Sequence, residues 1–79
     1  MENKNKLYLC FASALNIPTE QISDDLAYQS IAEWDSITHM ILISQLEDDF
    51  GVSIDTEDVI ELSSVAKAQE ILSNHGVIF

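Results

Sequence analysis

The sequence predicts an all-α domain: a four-helix bundle with three long helices, one short third helix and a long structured loop between the first two. Three observations carry this expectation. Apolar residues recur at helical spacing in three long stretches, and no run of four or more residues alternates cleanly enough for a strand. The breakers Pro18, Gly51 and Gly76 fall where those stretches end. At 79 residues the chain has room for one core, so residues 1–79 are expected to form a single domain. A chain of this size buries only about 60% of the surface its unfolded form exposes, which leaves a narrow margin of stability.

The first helix is expected from Asn3 or Asn5 to Asn16. Leu7, Phe11, Ala14 and Leu15 fall at i, i+4, i+7 and i+8, and Ile17 is pushed out of the α region by Pro18. A secretory signal is the rival, because Lys4 and Lys6 precede Leu7-Tyr8-Leu9-Cys10-Phe11 and Ala12-Ser13-Ala14 could be cleaved. Cleavage there would remove a helix that so small a core can hardly lose, so the helical reading is preferred. The second helix is expected over Ser36 to Phe50. Its stripe is Met40, Ile43, Leu46 and Phe50, widened by Leu42, with Gly51 placed for a left-handed end. A short helix follows from Asp55 to Leu62, with Asp55 able to cap and Asp58 three residues on. The last begins at Ser63 or Ser64 and carries Val65, Ala68, Ile71 and Leu72 before Gly76.

The connection from Ile17 to Asp35 is 19 residues long, whereas helix connections usually run to about 2–8. Ile22, Leu26, Tyr28, Ile31 and Trp34 are spaced along it like anchors, so it is expected to be packed down. It delivers the chain to Asp35-Ser36 at the start of the second helix.

Charge excludes several classes of function. There are 14 acids against 3 bases, a net charge of −11, and after Lys6 the only base is Lys67. Nucleic acid is a poor partner, since binding phosphates requires Lys and Arg, and anionic membranes are disfavoured for the same reason. Partners with basic patches are the complement, and salt should weaken their association. No stretch of about 20 apolar residues is present to span a membrane. The lone Cys10 cannot form an internal disulfide, which fits a reducing compartment, and a cytoplasmic monomer is expected.

Asp35 is a good N-cap, and Ser36 would be the first helical residue. Free backbone N–H groups and the helix dipole favour an anion there, so a phosphate ester on Ser36 would sit on an exposed, rigid platform. A plain helix cap is the alternative from the dipeptide alone. An Asp35-Ser36-His39 hydrolase is rejected, because adjacent Asp35 and Ser36 point in different directions and the chain is too short for a cleft. His39 is instead expected as a surface residue, His75 as a histidine favoured by a helix C-terminus, and Cys10 as a small core residue. Trp34 is either a loop anchor or a wall beside the site. Asp48-Asp49 and Asp55 to Asp58 lack the EF-hand pattern, and no specific metal site is expected.

Glu33-Trp34-Asp35-Ser36-Ile37-Thr38-His39-Met40, followed by Leu46-Glu47-Asp48-Asp49-Phe50-Gly51-Val52, resembles the acyl carrier protein family, which includes peptidyl and aminoacyl carriers. That family opens its second helix with Asp-Ser-Leu and ends it about ten residues later with a Leu-Glu-x-x-Phe-Gly-like sequence. Ile54-Asp55 and Ser64-Val65 also fall where the family has its third and fourth helices, so the resemblance covers nearly the whole chain. It implies a carrier rather than an enzyme. Ser36 would receive covalent 4′-phosphopantetheine from coenzyme A through a Mg²⁺-dependent phosphopantetheinyl transferase, with Asp35 supporting, and the arm would hold acyl or aminoacyl cargo as a thioester. A cargo-loading ligase or acyltransferase and downstream biosynthetic enzymes with basic docking patches would be the further partners. Glu33 replaces a frequent glycine, Ile37 stands for the commonest leucine, and Ile41 stands where the fatty-acid type often has an acid. Together with Trp34 these departures look more like a free-standing carrier of a specialised pathway.

By helical spacing, Ile37, Ile41 and Ser44 share a face beyond the core stripe, with Met40 at its edge. Glu47 and Asp48 extend that face, and Glu57, Asp58 and Glu61 lie on the next element. Exposed hydrophobes flanked by acids read as a docking surface for a basic-rimmed groove; a core Ile41 among solvated acids is the alternative. The competing class of function is an acidic helical interaction module whose Ser36 is never modified.

Overall fold

A computed structural model describes residues 2–79. The helices are α1 (Glu2–Leu15), α2 (Ser36–Phe50), α3 (Thr56–Glu61) and α4 (Val65–Asn74), and a single 3-10 turn, Thr19–Gln21, lies between α1 and α2. Among the described residues the only extended pairing is one antiparallel bridge between Ala27 and Ser64. None of these helices is long and apolar enough to cross a membrane.

Each helix ends for a local reason. Asn16 takes the left-handed conformation after α1 (φ 57°), one that Asn tolerates well. Gly51 does the same after α2 (φ 63°), donating its N–H to the Glu47 carbonyl. Side chains cap three helix starts: Asp35 accepts from the Thr38 amide, Asp55 from Asp58 and Ser64 from Lys67. The core draws Leu7, Cys10, Phe11 and Leu15 from α1, Leu42, Ile43 and Leu46 from α2, and Val65, Ala68, Ile71 and Leu72 from α4. Burial raises the pKa of the Cys10 thiol far above its ordinary value, and Asp49 beside it adds to the shift. Cys10 therefore behaves as a small core residue.

On α2 the expected stripe is shifted. Met40 is 55% exposed and Phe50 is only half-buried, whereas His39 is buried at 9%. The core stripe is His39, Leu42, Ile43 and Leu46. His39 is therefore not a surface residue, and hydrogen bonds described below explain how an imidazole comes to occupy a core position.

The long connection is packed down along its length. Ile22 and Trp34 are buried, and Leu26, Tyr28 and Ile31 lie half-buried against the core. The radius of gyration, 11.1 Å, sits near the value of about 12 Å for a fully packed chain of this length. Its carbonyls also serve α4: Leu26 accepts from the Val65 amide (3.0 Å) and Asp24 from Ala66 (3.1 Å), while Ser63 accepts from Tyr28 (2.8 Å). The Asp24 carboxylate braces the same region, accepting from Tyr8 Oη (2.7 Å), Gln69 Nε2 (2.8 Å) and Lys4 Nζ (3.2 Å). These donors, Tyr8 foremost, hold Asp24 below the usual carboxylate range, and the same bond pushes Tyr8 up to about 12.

Candidate functional site

The Asp35-Ser36 step is built by what precedes it. Trp34 is 0% exposed and lies edge-on to Phe11 (5.4 Å between centroids) and Tyr28 (6.1 Å). Its indole N–H donates to His39 Nδ1 at 3.0 Å, and His39 Nε2 lies 2.9 Å from the Val59 carbonyl. An indole can only donate and a carbonyl can only accept, so these contacts define a neutral imidazole with its proton on Nε2. Trp34 is thus a loop anchor, and it is locked to α2 and, through His39, to α3.

With Trp34 pinned inside, the next two residues emerge into solvent. Asp35 is extended (φ −105°, ψ −176°) and accepts from the Thr38 amide through Oδ1 at 2.8 Å. That bond is the main reason its carboxyl lies below the usual range. The Asp35 carbonyl takes the His39 amide at 2.8 Å. Ser36 follows as the first residue of α2, exposed, and its amide has no partner among the described residues. Its hydroxyl therefore stands at the positive end of a 15-residue helix with water around it.

One groove reaches this position and a second lies further along α2. The first, about 410 Å³, runs between α2 and α3 and is lined by Ser36 with Met40, Val59, Ile60 and Leu62. The other, about 520 Å³, lies along the outer side of α2 against Met40, Ile41, Ser44 and Asp48. Ile37 (74% exposed) and Ile41 (53%) stand clear of the core beside them. Ile60, 77% exposed on α3, completes this apolar strip and escaped the sequence reading, because on so short a helix it has no helical partner to mark its face. Among the acids expected there, Asp48, Glu57 and Glu61 are exposed. Glu47 is half-buried and accepts the Ile54 amide at 2.8 Å, which pins the turn after α2. Asp58 is also half-buried, and its Oδ2 lies 3.1 Å from His75 Nε2, which joins α3 to the end of α4. Glu47 and Asp58 thus already carry structural contacts.

The sequence model of the family described as "Phosphopantetheine attachment site" matches residues 5–68. The chain belongs to the acyl carrier protein family. Among its relatives is an acyl carrier protein of Lactobacillus johnsonii, 32% identical over 71 residues that cover 90% of this chain and 89% of the relative. The cofactor of this family member is 4′-phosphopantetheine, held covalently. The site has the chemistry such a group requires: an exposed hydroxyl to esterify, a helix N-terminus to face the phosphate and an apolar groove beside it. Members of the family work with transferases and biosynthetic enzymes.

Proposed function

We propose that residues 1–79 act as one cytoplasmic, monomeric carrier domain whose attachment residue is Ser36, and that the chain catalyses nothing itself. The observation that carries this reading is the placement of Ser36: exposed, first in α2, and followed by the groove between α2 and α3. A serine hydroxyl is a weak nucleophile without a neighbouring base, and a phosphopantetheinyl transferase would supply that base together with Mg²⁺. Loading forms a bond from Ser36 Oγ to phosphorus and breaks the bond from that phosphorus to the nucleotide part of coenzyme A. The serine proton passes to the transferase base, and the nucleotide leaves as a bisphosphate. Asp35 supports the site by holding the first turn of α2 in register through its bond to the Thr38 amide. Once attached, the arm supplies a terminal thiol that holds acyl or aminoacyl cargo as a thioester.

The docking surface we infer runs over Ile37, Met40, Ile41, Ser44 and Asp48 of α2 and Glu57 and Glu61 of α3, with Glu47 and Asp58 at its margins. Exposed apolar side chains ringed by carboxylates suit a groove with a basic rim, as a loading ligase or acyltransferase and later enzymes of a specialised biosynthetic pathway would present. The test is intact mass spectrometry after incubation with a broad-specificity transferase, Mg²⁺ and coenzyme A, with Ser36→Ala alongside. One added phosphopantetheine on the wild type alone is the expected result. No gain by a folded wild-type protein across several transferases would leave an unmodified interaction module as the better reading.

A further inference from the structure

The residues between Ser36 and the core have a consequence for what the arm carries. The groove beside Ser36 is also lined by His39 and Tyr28, so His39 stands at the boundary between the groove and the interior. Directly behind it lies the Trp34 ring, joined edge to edge to the imidazole by their hydrogen bond, with 22° between the ring planes and 6.1 Å between centroids, and behind Trp34 lies Phe11. We propose that the Trp34–His39 pair closes the interior of the bundle to cargo. The cargo of this carrier is then a short acyl group that rests in the groove between α2 and α3, and His39 is the specificity-determining residue. The proposal rests on the carrier reading above.

The closure differs in kind from a plug of aliphatic side chains. A leucine at such a boundary can change rotamer and lose only packing. Moving His39 breaks two hydrogen bonds at once, and it strands the Trp34 indole N–H in a site with no other acceptor shown for it. The bond to the Val59 carbonyl also ties α2 to α3, so a chain entering between these helices would have to part the tie. Among the described residues no buried side-chain nitrogen or oxygen is left unpaired to take up the indole N–H instead. Outside the tie, Met40, Val59, Ile60 and Leu62 give the groove apolar walls, but it is a surface groove, so a chain laid along it keeps one side in water and gains little from added length.

The experiment loads the full chain with butyryl-, octanoyl- or hexadecanoyl-phosphopantetheine from the matching coenzyme A thioesters. Mass spectrometry first establishes that each load is present, and thermal unfolding is then measured. No mass gain from a folded protein would overturn the carrier reading, and this proposal with it. Where loading succeeds, burial of even four further methylenes would raise Tm by more than about 10 °C. The expected result for the wild type is a spread below about 3 °C across the three loads; a larger rise with chain length overturns the closed interior. In His39→Ala the octanoyl form should melt more than about 3 °C above the butyryl form, while His39→Gln, which retains an acceptor and a donor, should behave as the wild type does. If His39→Ala does not fold, Trp34→Phe, which lacks the indole N–H, takes its place with the same expected rise. Absence of that rise in a folded variant overturns the assignment to His39.

Discussion

Of the three helices that begin with a side-chain cap, α2 and α4 have surroundings that differ completely. At α4 the loop closes over the end: Leu26 and Asp24 accept from Val65 and Ala66, and Ser64 takes Lys67 through its hydroxyl. At α2 only Asp35 serves the first turn, and the Ser36 amide and hydroxyl face solvent. The orphan donors that every helix start leaves are consumed for stability in one case and left available for an anion in the other. A serine at a helix start is therefore informative only with its surroundings: Ser64 caps α4 through its hydroxyl, whereas Ser36 stands exposed just past the Asp35 cap. The same 19-residue connection produces both outcomes, since its middle covers α4 and its end, anchored by Trp34, exposes Ser36.

If that anchoring is what separates the two helix starts, Trp34→Ala should have the largest effect. Loss of a fully buried aromatic costs about 3–5 kcal/mol, a large share of the stability of so small a domain. Urea unfolding should show a collapse of the midpoint, and retention of most of the stability would mean that the loop is held elsewhere. Ser64→Ala comes next, at about 1 kcal/mol or about 4–8 °C in Tm, with phosphopantetheine transfer intact. A loss of transfer in that variant would erase the distinction between the two serines.

The loop's electrostatic brace gives a smaller, pH-dependent effect. Asp24 is lowered in the fold, chiefly by Tyr8. Its contribution is therefore fully present above the unfolded carboxylate value of about 3.9 and is lost as pH falls through the lower folded value. Tyr8 is raised to about 12, so its contribution is present below about 10 and fades as pH climbs towards 12. Asp24→Asn should flatten both limbs of the stability–pH curve, and unchanged limbs would remove the brace from the account. Because Asp24 and Lys4 are both partly exposed, water discounts the size of either limb. The smallest change in stability belongs to Ser36→Ala, within about 0.5 kcal/mol of the wild type as for other surface sites, with transfer abolished. A substantial loss of stability would mean that Ser36, like Ser64, serves the fold.

Much of this was legible in the sequence. Helical periodicity, the breakers and the caps placed all four helices to within one to three residues, and the spaced apolar residues of the loop marked it as packed. Asp35-Ser36 could be singled out because the Asp-Ser opening and the Leu46 to Gly51 ending of α2 resemble one family's pattern. Which of two adjacent residues faces inward was not legible. His39 and Met40 differ by one step of about 100° around α2, and hydrophobicity favours Met40. In the fold the imidazole is the buried one, because Trp34 and Val59, far apart along the chain, satisfy both its nitrogens and remove the penalty on burying it. Ile60 was passed over for a related reason, since a six-residue helix is too short to show a face.

The sequence by itself determined the helices, their ends, the acidic surface and the serine at the head of α2, because these depend on local backbone preferences and on composition. Tertiary structure alone decided that the start of α4 is covered while that of α2 is open, and that an aromatic pair stands between Ser36 and the core. Those outcomes depend on which carbonyls and rings meet across 5 to 42 residues of chain, and no local pattern encodes such a meeting.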